Sequence, residues 1–186
     1  MFKKLSSLKK YMIYGSIPIC LLATLNHFLY EFSGNNTIVG IFTPINECVW
    51  EHLKLAFYPT ILWWVLGYFL YNNKINIHIN KWISSMIISL IISPIIILTF
   101  YYTYTGALGI ESIVLDVLSL VLGVFIGQIV AINYYENYNY SPIIFGVLVV
   151  IFIIYTFALT YFTFYPPKLP IFIDSTTGLR GIYLKE

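Results

Sequence analysis

Long unbroken apolar runs dominate this chain, where a half-buried element would show two-residue alternation or a helical stripe. A helix crossing the hydrocarbon core of a bilayer takes about 20 apolar residues. Residues 11–31, 82–103, 112–132 and 143–164 meet that length directly. A fifth run, Pro59 to Tyr71, is shorter; at a rise of about 1.5 Å per residue it reaches only about 20 Å. Beginning it at Leu53 restores the length and places Lys54 at the membrane boundary, where its stem can snorkel. Pro59 is expected to kink this helix. The pattern therefore predicts an all-α fold, an integral membrane bundle of five transmembrane helices with spans near 11–31, 53–71, 82–103, 112–132 and 143–164. A polar helix start at 44–53 precedes the second span, and a short extended tail follows over 165–186. The connections at 72–81 and 133–141 are short, so neighbours should pack antiparallel in a single domain, 1–186.

Composition agrees. Hydrophobic residues make up 59% of the chain and charged residues 10%, against roughly a quarter charged in a soluble domain. A net charge of +2, dispersed along the chain, gives no footprint for nucleic acid. The lipid bilayer is the expected partner, with a protein partner or a homo-oligomer left open. Cys20 and Cys48 fall in different segments and read as free thiols. Lys3, Lys4, Lys9 and Lys10 ahead of the first run imitate a signal peptide. The run lacks an Ala-x-Ala site, and Ile19 is too large for lipoprotein cleavage before Cys20, so a retained first helix is expected.

Charge then orients the spans. With the N-terminus cytoplasmic, Lys3, Lys4, Lys9, Lys10, Lys74 and Lys81 lie inside, while Lys54, Lys168, Arg180 and Lys185 lie outside, in the sense of the positive-inside rule. Of the acidic residues Glu136 alone falls inside. The expected placement is a multi-pass cell-membrane protein with a cytoplasmic N-terminus, an extracytoplasmic C-terminus and a functional outer face.

Candidate chemistry concentrates where the first span ends and the second begins. His27 and Glu31 are four apart, on one helix face; Glu47 and Glu51 repeat that spacing, followed by His52 and Lys54. His27 lies roughly 24 Å along an outward-running helix, so both groups reach the same outer level. Imidazoles and carboxylates there can bind a divalent metal, the expected cofactor class, with His27, Glu31, Glu51 and His52 as ligands. Glu47 or Glu51 can alternatively act as a general base. A structural reading stands beside this one. Thr43 as N-cap and Pro44 at the first helical position start a helix whose positive end Glu47 stabilises; Glu51 pairs with Lys54, and His52 sits in the interfacial belt beside Trp50.

The run His27, Tyr30, Glu31, Gly34, Val39, Gly40, Pro44, Asn46, Glu47, Trp50, Glu51, His52, Leu53, Lys54 and Leu55 resembles the signature of an uncharacterised family of small bacterial membrane proteins, known as a domain of unknown function. The tail residues Pro166, Pro167, Pro170, Phe172, Asp174, Thr177, Gly178, Gly181 and Ile182 are similar to its C-terminal pattern. Cys48 stands where that pattern has a small hydroxyl residue. The resemblance implies a membrane protein and names no activity.

Two further features complete the reading. Ser119, Gly123, Gly127 and Ala131 form a small-residue stripe that lets another helix approach closely, and Asp116 near that face should point into the bundle as a further candidate metal ligand. The tail is too apolar to be freely solvated and is expected to fold back over the outer end, turning at Asp174 to Gly178 and bringing Asp174 and Arg180 near Glu47 to His52. Three functions follow: an accessory or structural membrane protein, a membrane-embedded metal-dependent hydrolase, or a cation-binding transporter or channel component.

Overall fold

In a computed structural model the fold is described over residues 2–182, with side chains from Ser7 onward. Helices α1 (Phe2–Tyr14) and α2 (Ser16–Phe32) run on through Gly15, whose backbone is helical and whose N–H and C=O are bonded to Tyr11 and Ile19. A turn at Gly34 and Asn35, both at positive φ, leads to the short α3 (Thr37–Phe42), N-capped by the Asn36 side chain. Then come α4 (Val49–Ile75), α5 (Ile79–Leu108), α6 (Ile113–Asn137) and α7 (Pro142–Phe164), and a 3-10 turn at Pro170–Phe172. Among the described residues, five helical segments are long and apolar enough to cross a membrane: Ser7–Phe32, Val49–Ile75, Ile79–Leu108, Ile113–Asn137 and Pro142–Phe164.

The start of α4 departs from expectation. Thr43 is extended and closes α3, its hydroxyl donating to Val39 O at 3.0 Å. Pro44 to Glu47 form a non-helical connection, and the N-cap is Cys48, whose Sγ accepts from Glu51 N. Pro44 is therefore not at a first helical position, and Glu47 sits in the loop ahead of the helix. Once begun, α4 continues through Pro59.

The core has two layers. Ile19, Leu53, Ala56, Phe57, Leu90, Ile97, Val124 and Leu159 fill the layer toward the start of α4. Leu8, Met12, Trp64, Ile77, Trp82, Ala131 and Ile132 fill the opposite one. Helices α5 and α6 make the most extensive pairing, because the stripe of Gly123 and Gly127 admits the α5 backbone. A Cβ on Gly123 would lie 2.8 Å from Ser93 O, and one on Gly127 3.0 Å from Ser89 O. Two of the indoles are satisfied across helices, Trp64 Nε1 donating to Gln128 Oε1 and Trp82 Nε1 to Trp64 O, each at 3.1 Å. At the end holding Ile75 and Ile79, Lys9 joins α1 to Glu136 on α6 at 3.0 Å.

The tail folds back on the other end. Phe172 packs against Trp50 and Phe162 with ring centroids 5.1 and 5.3 Å away, and Ile182 N donates to Thr163 O at 3.0 Å. Ser175 Oγ donates to Glu47 O and Asn46 Nδ2 to Gly181 O, both at 3.3 Å, so the tail holds down the loop that carries Glu47.

Candidate metal centre

Three elements meet at this end. Helix α2 brings His27, the loop before α4 brings Glu47, and the first turn of α4 brings His52. His52 Nδ1 lies 2.9 Å from Cys48 O. A carbonyl accepts only, so Nδ1 carries a proton; Nε2 donates to Glu47 while it too is protonated, and offers its lone pair to a metal once that proton leaves. That Nε2 lies 3.1 Å from His27 Nε2 and 3.3 Å from Glu47 Oε2, while His27 Nε2 lies 3.6 Å from Glu47 Oε1. Hydrogen bonds to His27 and His52 hold the Glu47 carboxyl well below the ordinary carboxylate range, against the opposing effect of partial burial.

These separations are close to those within a ligand set. A tetrahedral zinc with bonds of about 2.0–2.2 Å sets its ligand atoms about 3.3–3.6 Å apart. The three side chains supply one ligand atom each, all within 4.8 Å of one another. The His52–Cys48 hydrogen bond is the kind of outer contact that fixes the orientation of a ligating imidazole. All three side chains remain open to solvent, at 30%, 44% and 29% exposure for His27, Glu47 and His52, leaving room for water as a further ligand.

The other sequence candidates lie elsewhere. Glu51 is 2% exposed and faces inward. Its Oε2 accepts from Lys54 Nζ at 2.6 Å and from Ile45 N at 3.2 Å, and its Oε1 from Thr163 Oγ1 at 3.0 Å. Lys54, expected to snorkel to the boundary, is fully buried; its Nζ donates also to Gly40 O, Thr43 O and Thr163 Oγ1 at 2.7, 3.2 and 2.8 Å. This lock ties α3 and the Glu47 loop to α4 and α7. Glu31 is exposed, and its carboxylate makes no hydrogen bond or ion pair among the described residues. Asp116 accepts from Tyr104 Oη at 2.6 Å, and its charge lies within electrostatic reach of His52. Asp174 is buried and closes its own turn, accepting from Thr176 and Thr177. Arg180 makes no ion pair among the described residues.

Helical spacing paired Glu47 with Glu51, yet the two carboxylates part because one precedes the helix. Thr163 and Tyr104 carried no sequence signal, being isolated hydroxyls in apolar runs. Comparison with curated proteins and with solved structures gave no match. The family model described as a family of unknown function (DUF6512) matches residues 1–182, and on that coverage the chain belongs to this family.

Proposed function

We propose that this is a multi-pass membrane protein, N-terminus cytoplasmic, that holds one divalent transition metal through His27, Glu47 and His52 at the extracytoplasmic end of its bundle. The observation that supports the reading is the convergence of one ligand atom from each of His27, Glu47 and His52 within 4.8 Å of one another, with Nε2 of both imidazoles turned toward the two Glu47 oxygens. The orientation is supported by lysines at one end of the bundle and carboxylates at the other.

Three protein ligands with solvent access form the open type of site, in which a bound water loses its proton near neutral pH. Such a site suits hydrolysis of a substrate presented at the membrane surface. Glu51 and Lys54 serve the architecture that holds the ligands in place.

The test is metal content. Full-length protein purified in detergent, loaded with zinc, manganese or iron and dialysed, should retain about one metal per chain by elemental analysis. His52→Ala and Glu47→Ala should lose it, while Glu31→Gln, at an exposed carboxylate outside the triangle, should keep it. Wild-type protein without stoichiometric metal removes the reading and leaves a carboxylate joining two imidazoles to fix the helix ends, the accessory role.

A further inference from the structure

The opposite end of the bundle differs in chemistry. Between α1 and α4 lies a groove of about 380 Å³ lined by Ser7, Lys10, Tyr11, Tyr14, Trp63 and Tyr71. It exists because Gly15 lets the indole come close: a Cβ there would lie 2.0 Å from Trp63 Nε1. Tyr11 stacks on Trp63 at 4.5 Å, and Tyr71 packs against Tyr11 at 5.2 Å. Ser7 and Tyr71 share a hydrogen bond at 3.3 Å. Trp63 Nε1 has no hydrogen-bond partner among the described residues.

The charge of this groove is not cancelled. Lys9 is neutralised by Glu136, whereas Lys10 is exposed, lines the groove and makes no ion pair among the described residues. Four lysines, Lys9, Lys10, Lys74 and Lys81, stand at this end against the single carboxylate of Glu136 among the described side chains. Ser7 and Lys10 are three apart and share a helix face. From them the groove runs about 12 Å along α1 to Gly15, toward the exposed apolar surface of Tyr14 and Ile17.

A basic mouth that continues into an aromatic wall and an apolar flank matches one ligand class. We propose that the groove binds one anionic glycerophospholipid, its phosphate at Lys10 and Ser7 and its upper acyl chain along Tyr14 and Trp63. A soluble phosphate would use the mouth and leave the wall unused. The site is independent of the metal centre and stands or falls separately.

Native mass spectrometry of the full-length protein in neutral detergent tests this, titrating phosphatidylglycerol, phosphatidylcholine or inorganic phosphate. One phosphatidylglycerol per chain should be retained, about fivefold better than phosphatidylcholine, the preference one lysine supplies near a membrane surface. Lys10→Gln, a substitution at an exposed position compatible with helix, should lose that preference. Lys81→Gln, at a cation of the same end that sits over Tyr135, should keep it. The proposal is overturned if the two lipids bind alike, if Lys10→Gln retains phosphatidylglycerol like wild type, or if millimolar inorganic phosphate displaces the lipid.

Discussion

Replacing Lys54 with methionine keeps the length of its stem and deletes the ammonium. The Glu51 carboxylate would then be left at 2% exposure with only Ile45 N–H and the Thr163 hydroxyl for partners. Breaking a buried ion pair from one side costs about 3–5 kcal/mol. At roughly 2–4 °C per kcal/mol for a chain of this size, the apparent melting temperature in detergent should fall by about 6–20 °C. A lysine snorkelling at the membrane surface would instead contribute about 0–1 kcal/mol, a shift of a few degrees. The pairing itself is isolated by a double-mutant cycle with Glu51→Met. The double variant strands no charge, although Gly40 O, Thr43 O and Ile45 N still lose their partner. Its destabilisation should therefore fall short of the sum of the single changes by about 2–3 kcal/mol. Thermal unfolding followed by tryptophan fluorescence reads all four proteins. Single changes that add within about 0.5 kcal/mol would refute the buried pair as a coupled unit.

Three further outcomes follow from other parts of the structure. Gly123→Ala places a methyl 2.8 Å from the Ser93 carbonyl, a backbone atom that cannot step aside, and should destabilise the α5–α6 pair by about 1–3 kcal/mol; a melting temperature equal to wild type would contradict that close approach. Burial pushes the Cys48 thiol up to about 12 from an ordinary 9.0, against the opposing hydrogen bond from Glu51 N–H. Its thiolate fraction at neutral pH is thus about a thousandfold below that of a free thiol, and a maleimide should modify it only after unfolding, whereas rapid labelling of native protein would place the thiol outside. Burial also raises the Asp174 carboxyl, but hydrogen bonds from Thr177 and Thr176 outweigh it and hold the group below its usual value. The turn it closes is therefore fully stabilised above the unfolded value of about 3.9 and loosens as pH falls through the depressed folded value. Hydrogen exchange at residues 174–178 should show protection lost over that acid range, and Asp174→Asn should show reduced protection already at neutral pH; a variant as protected as wild type would remove the carboxylate from the turn's account.

The five helices long and apolar enough to cross a membrane were legible in the sequence because the length of an apolar run is a local property. The glycine stripe on α6 was legible for the same reason: small residues four apart occupy one helix face wherever the helix lies. The polar end of the bundle was legible only in part: the spacing brought His27 and His52 to one level and paired Glu51 with Lys54, whereas the place of Glu47 turns on where helix α4 begins. Pro44 reads as a helix start, yet Thr43 is committed to closing α3, and the chain stays non-helical until the Cys48 thiol caps the helix. That shift takes Glu47 off the face of Glu51. Contacts between residues 25 to 112 positions apart then decide each fate: His27 reaches His52, joining the imidazole pair that Glu47 meets, while Thr163 reaches Glu51, beside the buried Lys54. Sequence spacing assigns a carboxylate to a helix face and so pairs Glu51 with Lys54, but tertiary packing decides which partners reach it from other elements, because electrostatic partners are chosen by distance in space and by burial.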